Sequence, residues 1–211
     1  LDLEYTRTMM GFLLFCPEPR RVLMIGLGGG SLVKFCNRKL PTTNFAVVEI
    51  DANVIALRAH FEIPPDGDLL QVIHGDGARY VADLADTEQF PDVLLVDAYD
   101  RNGIAPSIAE YQFLEHSRRI LADGGVFVMN LAAHESASSI QLERIRHVFG
   151  EPVIPVTVGW GGNMVVFAGP ALRDRQRLAA VARNARHLQK TMDLNFRILP
   201  GLVHKHLKQV P

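Results

Sequence analysis

The segment Arg21 to Ile50, RRVLMIGLGGGSLVKFCNRKLPTTNFAVVEI, constrains this chain more than any other. Val22 to Ile25 is an unbroken apolar run, the pattern of a parallel strand covered on both faces. Gly26, Gly28, Gly29 and Gly30 follow it, where the backbone must turn sharply and can come close to a ligand. Ser31 is placed to cap the helix that starts next. A second apolar run, Phe45 to Ile50, carries Glu49 about 20 residues on, the distance at which dinucleotide folds put the acid that takes ribose hydroxyls. Strand, glycine turn, helix, strand and acid in that order describe a nucleoside site.

Two ligands make different demands on such a loop. A dinucleotide fingerprint has glycines at its first, third and sixth positions, so that pyrophosphate sits on the helix N-terminus; counted from Gly26, the sixth position is Ser31. Gly26, Gly28 and Gly30 occupy the first, third and fifth positions, the spacing of S-adenosylmethionine-type loops, which bind no phosphate and use a Glu at the end of the second strand for the ribose. A tight turn without a ligand also uses glycines, but gives no reason for Glu49.

The rest of the chain repeats the unit. A helix over Ser31 to Arg38 ends before Pro41, a second runs from Asp51 to Phe61, and Pro64 to Gly67 is a loop. Leu70 to His74 reads as strand three, Ala78 to Leu84 as helix, and Val93 to Val96 as strand four. Ala98 to Ser107 is a loop, and a helix follows from about Ile108 to Leu121. Val126 to Leu131 is strand five, and Ser136 to Phe149 a helix. Val153 to Val158 and Met164 to Ala168 flank the turn at Gly159-Trp160-Gly161-Gly162 as a hairpin. The predicted fold is α/β: a doubly wound, mostly parallel seven-stranded sheet with an antiparallel edge hairpin, Rossmann-like in the manner of methyltransferases.

A chain of 211 residues, 48% hydrophobic, suits one such domain and is short for two. Residues 1–170 are expected to form the nucleoside-binding catalytic domain. Residues 171–211 are expected to add a basic helix, Arg173 to Gln189, and a tail holding His204 and His206. Net charge is −1, but residues 1–170 alone carry 13 basic and 21 acidic residues, a net of −8. An acidic body favours a small cationic substrate over nucleic acid. Met9 to Cys16, MMGFLLFC, is too short to span a membrane and lacks a cleavage site; it reads as a helix packed under the first strand. Leu1 in place of Met fits an excerpt of a longer product. Cys16 and Cys36 build no disulfide framework and no metal-ligand spacing, so a reducing cytoplasm and a metal-free site are expected.

Ligands of open α/β sheets bind beyond the carboxyl ends of the strands, and three successive strands end on acids: Glu49, Asp76 and Asp97. Glu49 can accept from ribose hydroxyls and Asp76 from an adenine amino group; either acid could also cap a helix. Asp97 and Asp100, in Asp97-Ala98-Tyr99-Asp100, lie where two carboxylates can hold an ammonium and one can take its proton. Alkylamines carry a proton at neutral pH, with a reference value of about 10.4 for lysine, so a nucleophilic amine needs a base. Neighbouring carboxylates raise the proton affinity of one of them.

VLMIGLGGG, VVEID, HGDG and VDAYDRNGIAP, in that order and spacing, resemble the spermidine synthase family of polyamine aminopropyltransferases, over roughly Tyr5 to Gly169. The resemblance implies transfer of an aminopropyl group from decarboxylated S-adenosylmethionine to putrescine or a similar amine, releasing methylthioadenosine. By it, Gly26, Gly28, Gly30, Glu49, Ile50, Asp76 and Gly77 bind the donor, Glu49 at the ribose and Asp76 and Gly77 at the adenine. Asp97 is the general base, Asp100 anchors the far ammonium, Tyr5 and Trp160 line the amine pocket, and Ala98 to Ser107 form a gate. The family's loop usually carries an Asp at the place of Gly29, where it holds the donor's aminopropyl ammonium. The resemblance also implies a homodimer and a small N-terminal β domain, of which only the last residues are expected in this sequence. A methyltransferase using intact S-adenosylmethionine and a non-catalytic nucleoside-binding homologue are the alternatives on the same fold.

Overall fold

The computed structural model describes residues 1–87, 90–100, 103–133, 136–159, 162–196 and 198–207. Its strands are β1 (Arg21–Ile25), β2 (Asn44–Glu49), β3 (Leu70–His74), β4 (Val93–Val96), β5 (Tyr99–Asp100), β6 (Gly103–Ile104), β7 (Val126–Ala132), β8 (Ile154–Val158) and β9 (Asn163–Ala168). Its helices are α1 (Glu4–Met9), α2 (Ser31–Lys39), α3 (Ala52–Ala56), α4 (Gly77–Leu84), α5 (Pro106–Ala109), α6 (Tyr111–Ile120), α7 (Ser136–Phe149), α8 (Arg175–Met192) and α9 (Leu199–Leu207).

Seven strands form one sheet in the order β3-β2-β1-β4-β7-β9-β8. The first five are parallel neighbours, and β9 runs antiparallel to both β7 and β8 at one edge, as the apolar runs and the terminal hairpin predict. Every residue of β4 is fully buried, because successive side chains point to opposite faces and both faces are covered. Val22, Met24, Val93 and Leu95 join one apolar cluster with α2 and α8. Leu23, Ile25, Leu94 and Val96 join another, with α4, α6 and α7. Chain order reverses between β1 and β4, with β2 and β3 on one side and β7 on the other, so a crevice opens beyond their carboxyl ends.

Several local expectations are corrected. Gly30, left-handed, is the N-cap of α2, and Ser31 is its first residue with no capping bond recorded. The helix expected through Phe61 stops at Ala56: Asp51 caps it, but Leu57 and Phe61 stay exposed, so no packed face extends it. The loop from Ala98 to Ser107 contains the β5–β6 ladder. The helix after it is split at Glu110, whose backbone is extended. Met9 to Cys16 is buried throughout, but only Met9 belongs to α1, and Met10–Leu14 tighten into a 3-10 turn. The turn packs mainly on α8 and β7 and shares an apolar cluster with Val22 and Met24 of β1; Gly11 allows the close approach, since a Cβ there would lie 2.6 Å from Leu199 Cδ2 and 2.9 Å from Phe167 of β9.

The tail after α8 is a helix. Leu199 and Val203, one turn apart, are buried with Leu178, Val181 and Leu188 of α8 in the cluster under α1, the spacing at which two helical residues share a face. Ala182, next to Val181, is exposed. Helix α8 runs to Met192, capped by Asp174 through the Gln176 and Arg177 amides. Among the described residues no helix is long and apolar enough to cross a membrane.

Candidate active site

Steric need explains the glycine turn residue by residue. Gly26 has φ +93°, and a Cβ on it would lie 2.2 Å from the Asp97 carbonyl oxygen. Only glycine lets the ends of β1 and β4 converge there. Gly30 has φ +69° and is covered by Ile63, whose Cγ1 would be 2.3 Å from an added Cβ. Gly28 and Gly29 are different: a Cβ on either would meet nothing within 4 Å. The loop is therefore closed at its ends, by Asp97 and by Ile63, and open at its middle.

Glu49, at the end of β2, is 8% exposed and faces this loop. Its Oε2 accepts from the Leu27 amide at 2.7 Å and its Oε1 from the Asp51 amide at 2.9 Å. A carboxylate offers about four lone-pair positions, so each oxygen retains capacity for a hydroxyl while the side chain is held still. Ile50 is 61% exposed beside it, and its carbonyl lies 3.1 Å from His74 Nε2. Asp76 caps α4, its Oδ1 accepting from the Ala78 amide at 2.7 Å and the Arg79 amide at 3.4 Å. Ser107 Oγ, beyond the β5–β6 ladder, donates to the same oxygen at 3.4 Å. Gly77 has a packing reason of its own, because a Cβ there would sit 2.3 Å from Ile25 Cγ2.

The second acid group gathers around Asp97, just past β4. Tyr5 of α1 donates its hydroxyl to Asp97 Oδ2 at 3.2 Å, and Asn130 of β7 donates Nδ2 to Oδ1 at 2.9 Å. Burial raises the Asp97 carboxyl above the usual carboxylate range, while the hydrogen bonds from Asn130 and Tyr5 pull it back down. Among the described residues the largest cause is desolvation; the neighbouring carboxylate that the sequence suggested, Asp100, has its side chain outside them. The Tyr5 phenol is pushed up to about 12 by its own burial, by the Asp97 charge and by their hydrogen bond. Asp100 has its backbone in β5, and its side chain lies outside the described structure, as does Trp160.

Sequence reasoning missed Asn130 and Asn163. Asn130 is 4% exposed and accepts at Oδ1 from Asn163 Nδ2 at 3.1 Å. The available signal was one amide inside the otherwise apolar run of β7, VFVMNLA, since a buried polar side chain needs a partner. Among the described residues no cluster of His, Cys, Asp and Glu could hold a metal ion. A cavity of about 650 Å³ lies on the other flank of α1, against β8 and the α8–α9 connection, and is lined by Glu4, Thr157 and Phe196 but by none of the residues above.

Known proteins resemble this chain in sequence and in fold. The family model described as spermine/spermidine synthase domain matches residues 2–157. A polyamine aminopropyltransferase of Chromobacterium violaceum is 34% identical over 197 residues, covering 93% of this chain and 74% of that protein. One from Neisseria meningitidis is 34% identical over 205 residues, covering 96% and 77%. The eEF1A lysine and N-terminal methyltransferase of Xenopus laevis is 26% identical over 203 residues, 90% of this chain but 29% of its own length. Among solved structures, a spermidine synthase in complex with the transition-state analogue AdoDATO superposes with TM-score 0.77 at 18% identity, covering 99% of this chain and 76% of that one. Human methyltransferase-like protein 13 in complex with SAH superposes with TM-score 0.73 at 24% identity, covering 87% and 92%. These two show a shared fold; the family model and the relatives at 34% identity show that the chain belongs to the spermine/spermidine synthase family.

Proposed function

We propose that the protein is an aminopropyltransferase of the spermidine synthase type, moving an aminopropyl group from decarboxylated S-adenosylmethionine to putrescine or a related small cationic amine. The observation that carries this reading is Asp97: a desolvated carboxylate with raised proton affinity, held by Tyr5 and Asn130 at the mouth of the glycine loop. A base whose proton affinity is raised toward the working pH is better matched to deprotonating an ammonium.

The residues fit a nucleoside donor on two grounds: Glu49 keeps lone pairs for ribose hydroxyls while its backbone contacts orient it, and Gly28 and Gly29 leave the crevice open beside it. Asp76 and Gly77 flank the adenine, with the exposed Ile50 as an apolar wall. Asp97 takes a proton from the amine. The freed nitrogen pair attacks the carbon next to the sulfonium, and the carbon–sulfur pair leaves on sulfur as methylthioadenosine. Positioning in a partly dry site is the main requirement of such a displacement. The family resemblance assigns Asp100 to the distal ammonium and Trp160 to the amine pocket. Buried free thiols at Cys16 and Cys36 fit a reducing cytoplasm, and a homodimer is tested by light scattering of the purified chain.

One observation favours a second reading. Gly29 puts open space where the family's loop acid meets the donor, which removes a reason to prefer a decarboxylated donor over intact S-adenosylmethionine. Mass spectrometry of the purified chain with putrescine and each donor in turn separates the two. Spermidine and methylthioadenosine support the transferase, methylated amine supports a methyltransferase, and product of neither kind overturns both.

A further inference from the structure

Asn163, Asn130 and Asp97 form a line across three neighbouring strands. Asn163 Nδ2 donates to Asn130 Oδ1 at 3.1 Å, and Asn130 Nδ2 donates to Asp97 Oδ1 at 2.9 Å. The register supports it: β7 and β9 pair Asn130 with Val165 and Ala132 with Asn163, so the two amides approach diagonally across adjacent strands. The direction of the line follows from chemistry. An ionised carboxylate only accepts, so Asn130 must turn its NH2 to Asp97 and its oxygen to β9. Asn163 must then meet that oxygen with its own NH2.

We infer that Asn163 and Asn130 are positioning residues that reserve Asp97 Oδ1 as an acceptor and so direct the proton taken from the amine to Oδ2. This rests on the proposed role of Asp97 as base. A proton on Oδ1 would face the NH2 of Asn130, and relieving that clash requires both amides to turn over together. A proton on Oδ2 disturbs neither amide. On transfer, the amine N–H bond breaks, its electron pair stays on nitrogen, and an O–H bond forms at Oδ2. Tyr5, which donates to Oδ2 before the step, can then accept from it, since a phenol oxygen does both. Among the described residues the polar groups that bond the carboxyl are Tyr5 from α1 and Asn130 from β7.

The test is carbon-13 NMR of the Asp97 carboxyl through a pH titration of the full chain and of the variants Asn130→Leu and Asn163→Leu, with nuclear Overhauser contacts from the Asn130 side-chain amide recorded above and below the midpoint. The midpoint should move to higher pH in Asn130→Leu, which removes a donor to the charged form, and less far in Asn163→Leu. In the wild type the Asn130 NH2 should keep its contacts to β4 on both sides of the midpoint. Turnover should fall about tenfold or more in Asn130→Leu through misplacement of the base, with the methylthioadenosine dissociation constant unchanged. A midpoint equal to wild type in Asn163→Leu, or NH2 contacts that switch to β9 when Asp97 is protonated, would overturn the relay. Asn163 is only partly buried, so this variant carries the test if Asn130→Leu does not fold. The titration needs no turnover: absence of aminopropyl product in the wild type would count against the proposed function and leave the relay to stand or fall by the NMR.

Discussion

The two acids that frame the crevice are held in opposite ways. Glu49 is fixed by backbone amides on both oxygens, from Leu27 in the glycine loop and from Asp51 two residues on. Asp97 is fixed by side chains, Tyr5 and Asn130, brought from α1 and β7. A carboxylate satisfied by local amides is part of the turn it orients. One satisfied by side chains at a desolvated place is less at ease when charged, and its raised proton affinity suits it to chemistry. On the proposed function, the difference divides the crevice into a binding end and a reacting end.

The sharpest way to test that division is Asp97→Asn. Removing the base should lower turnover by about 10²–10⁴-fold while methylthioadenosine binding, read by calorimetry, is retained. The same variant should not be less stable at neutral pH. Asp97 is held above its unfolded value by burial, so the stability it contributes is present below that value and is lost as pH rises through the folded one. At neutral pH the charged, desolvated carboxylate is therefore a cost, and the neutral amide should raise the melting temperature. A lower melting temperature would break the contrast with Glu49.

Glu49→Gln should behave in the reverse sense. One oxygen becomes an NH2 facing the Leu27 or Asp51 amide, leaving donors opposed, at a cost of about 1–3 kcal/mol. Both thermal stability and nucleoside affinity should fall, the latter roughly tenfold to a hundredfold by that energy. Equal loss of activity without loss of affinity would place Glu49 at the reacting end instead.

Tyr5→Phe sharpens the comparison from the other side. It removes a hydrogen bond to the charged form of Asp97 and nothing from Glu49, so the acid limb of the rate profile should move to higher pH, because activity is lost as Asp97 gains its proton. Turnover at neutral pH should fall by about tenfold, the loss of one hydrogen bond to a charged group, and nucleoside affinity should be unchanged. Gly29→Asp is expected to have the smallest effect on stability, within about 0.5 kcal/mol, since its Cβ enters open space and its φ lies outside the left-handed region. Its readout is selectivity: the ratio of turnover with decarboxylated to intact S-adenosylmethionine should rise. An unchanged ratio would mean that the donor's ammonium lies elsewhere.

What could be read locally held up well. Val22 to Ile25, Leu70 to His74 and Val93 to Val96 are strands within a residue of the expected bounds, because a short buried run between turn residues carries its own signal. Helix ends fared worse. Leu57 and Phe61 stand at helical spacing, yet α3 ends at Ala56 with both exposed; periodicity describes a face without saying whether anything will cover it. The converse holds for α9, where Leu199 and Val203 became a buried face because α8 and β8 pack against them.

The sequence by itself determined the parallel sheet, the sharp turn after β1 and the acids at the strand ends, since strand alternation and glycine sterics are properties of a few consecutive residues. The resemblance it carries added Tyr5. Only the tertiary structure decided what Asp97 touches and what that does to its proton. Tyr5 and Asp97 are 92 residues apart, and Asn130 is 33 from each of its partners. They meet because the strand order sets β4, β7 and β9 side by side, and no local pattern encodes which strands become neighbours. The desolvation of Asp97 has the same origin, since it is the packing of α1 and β7 around β4 that removes the water.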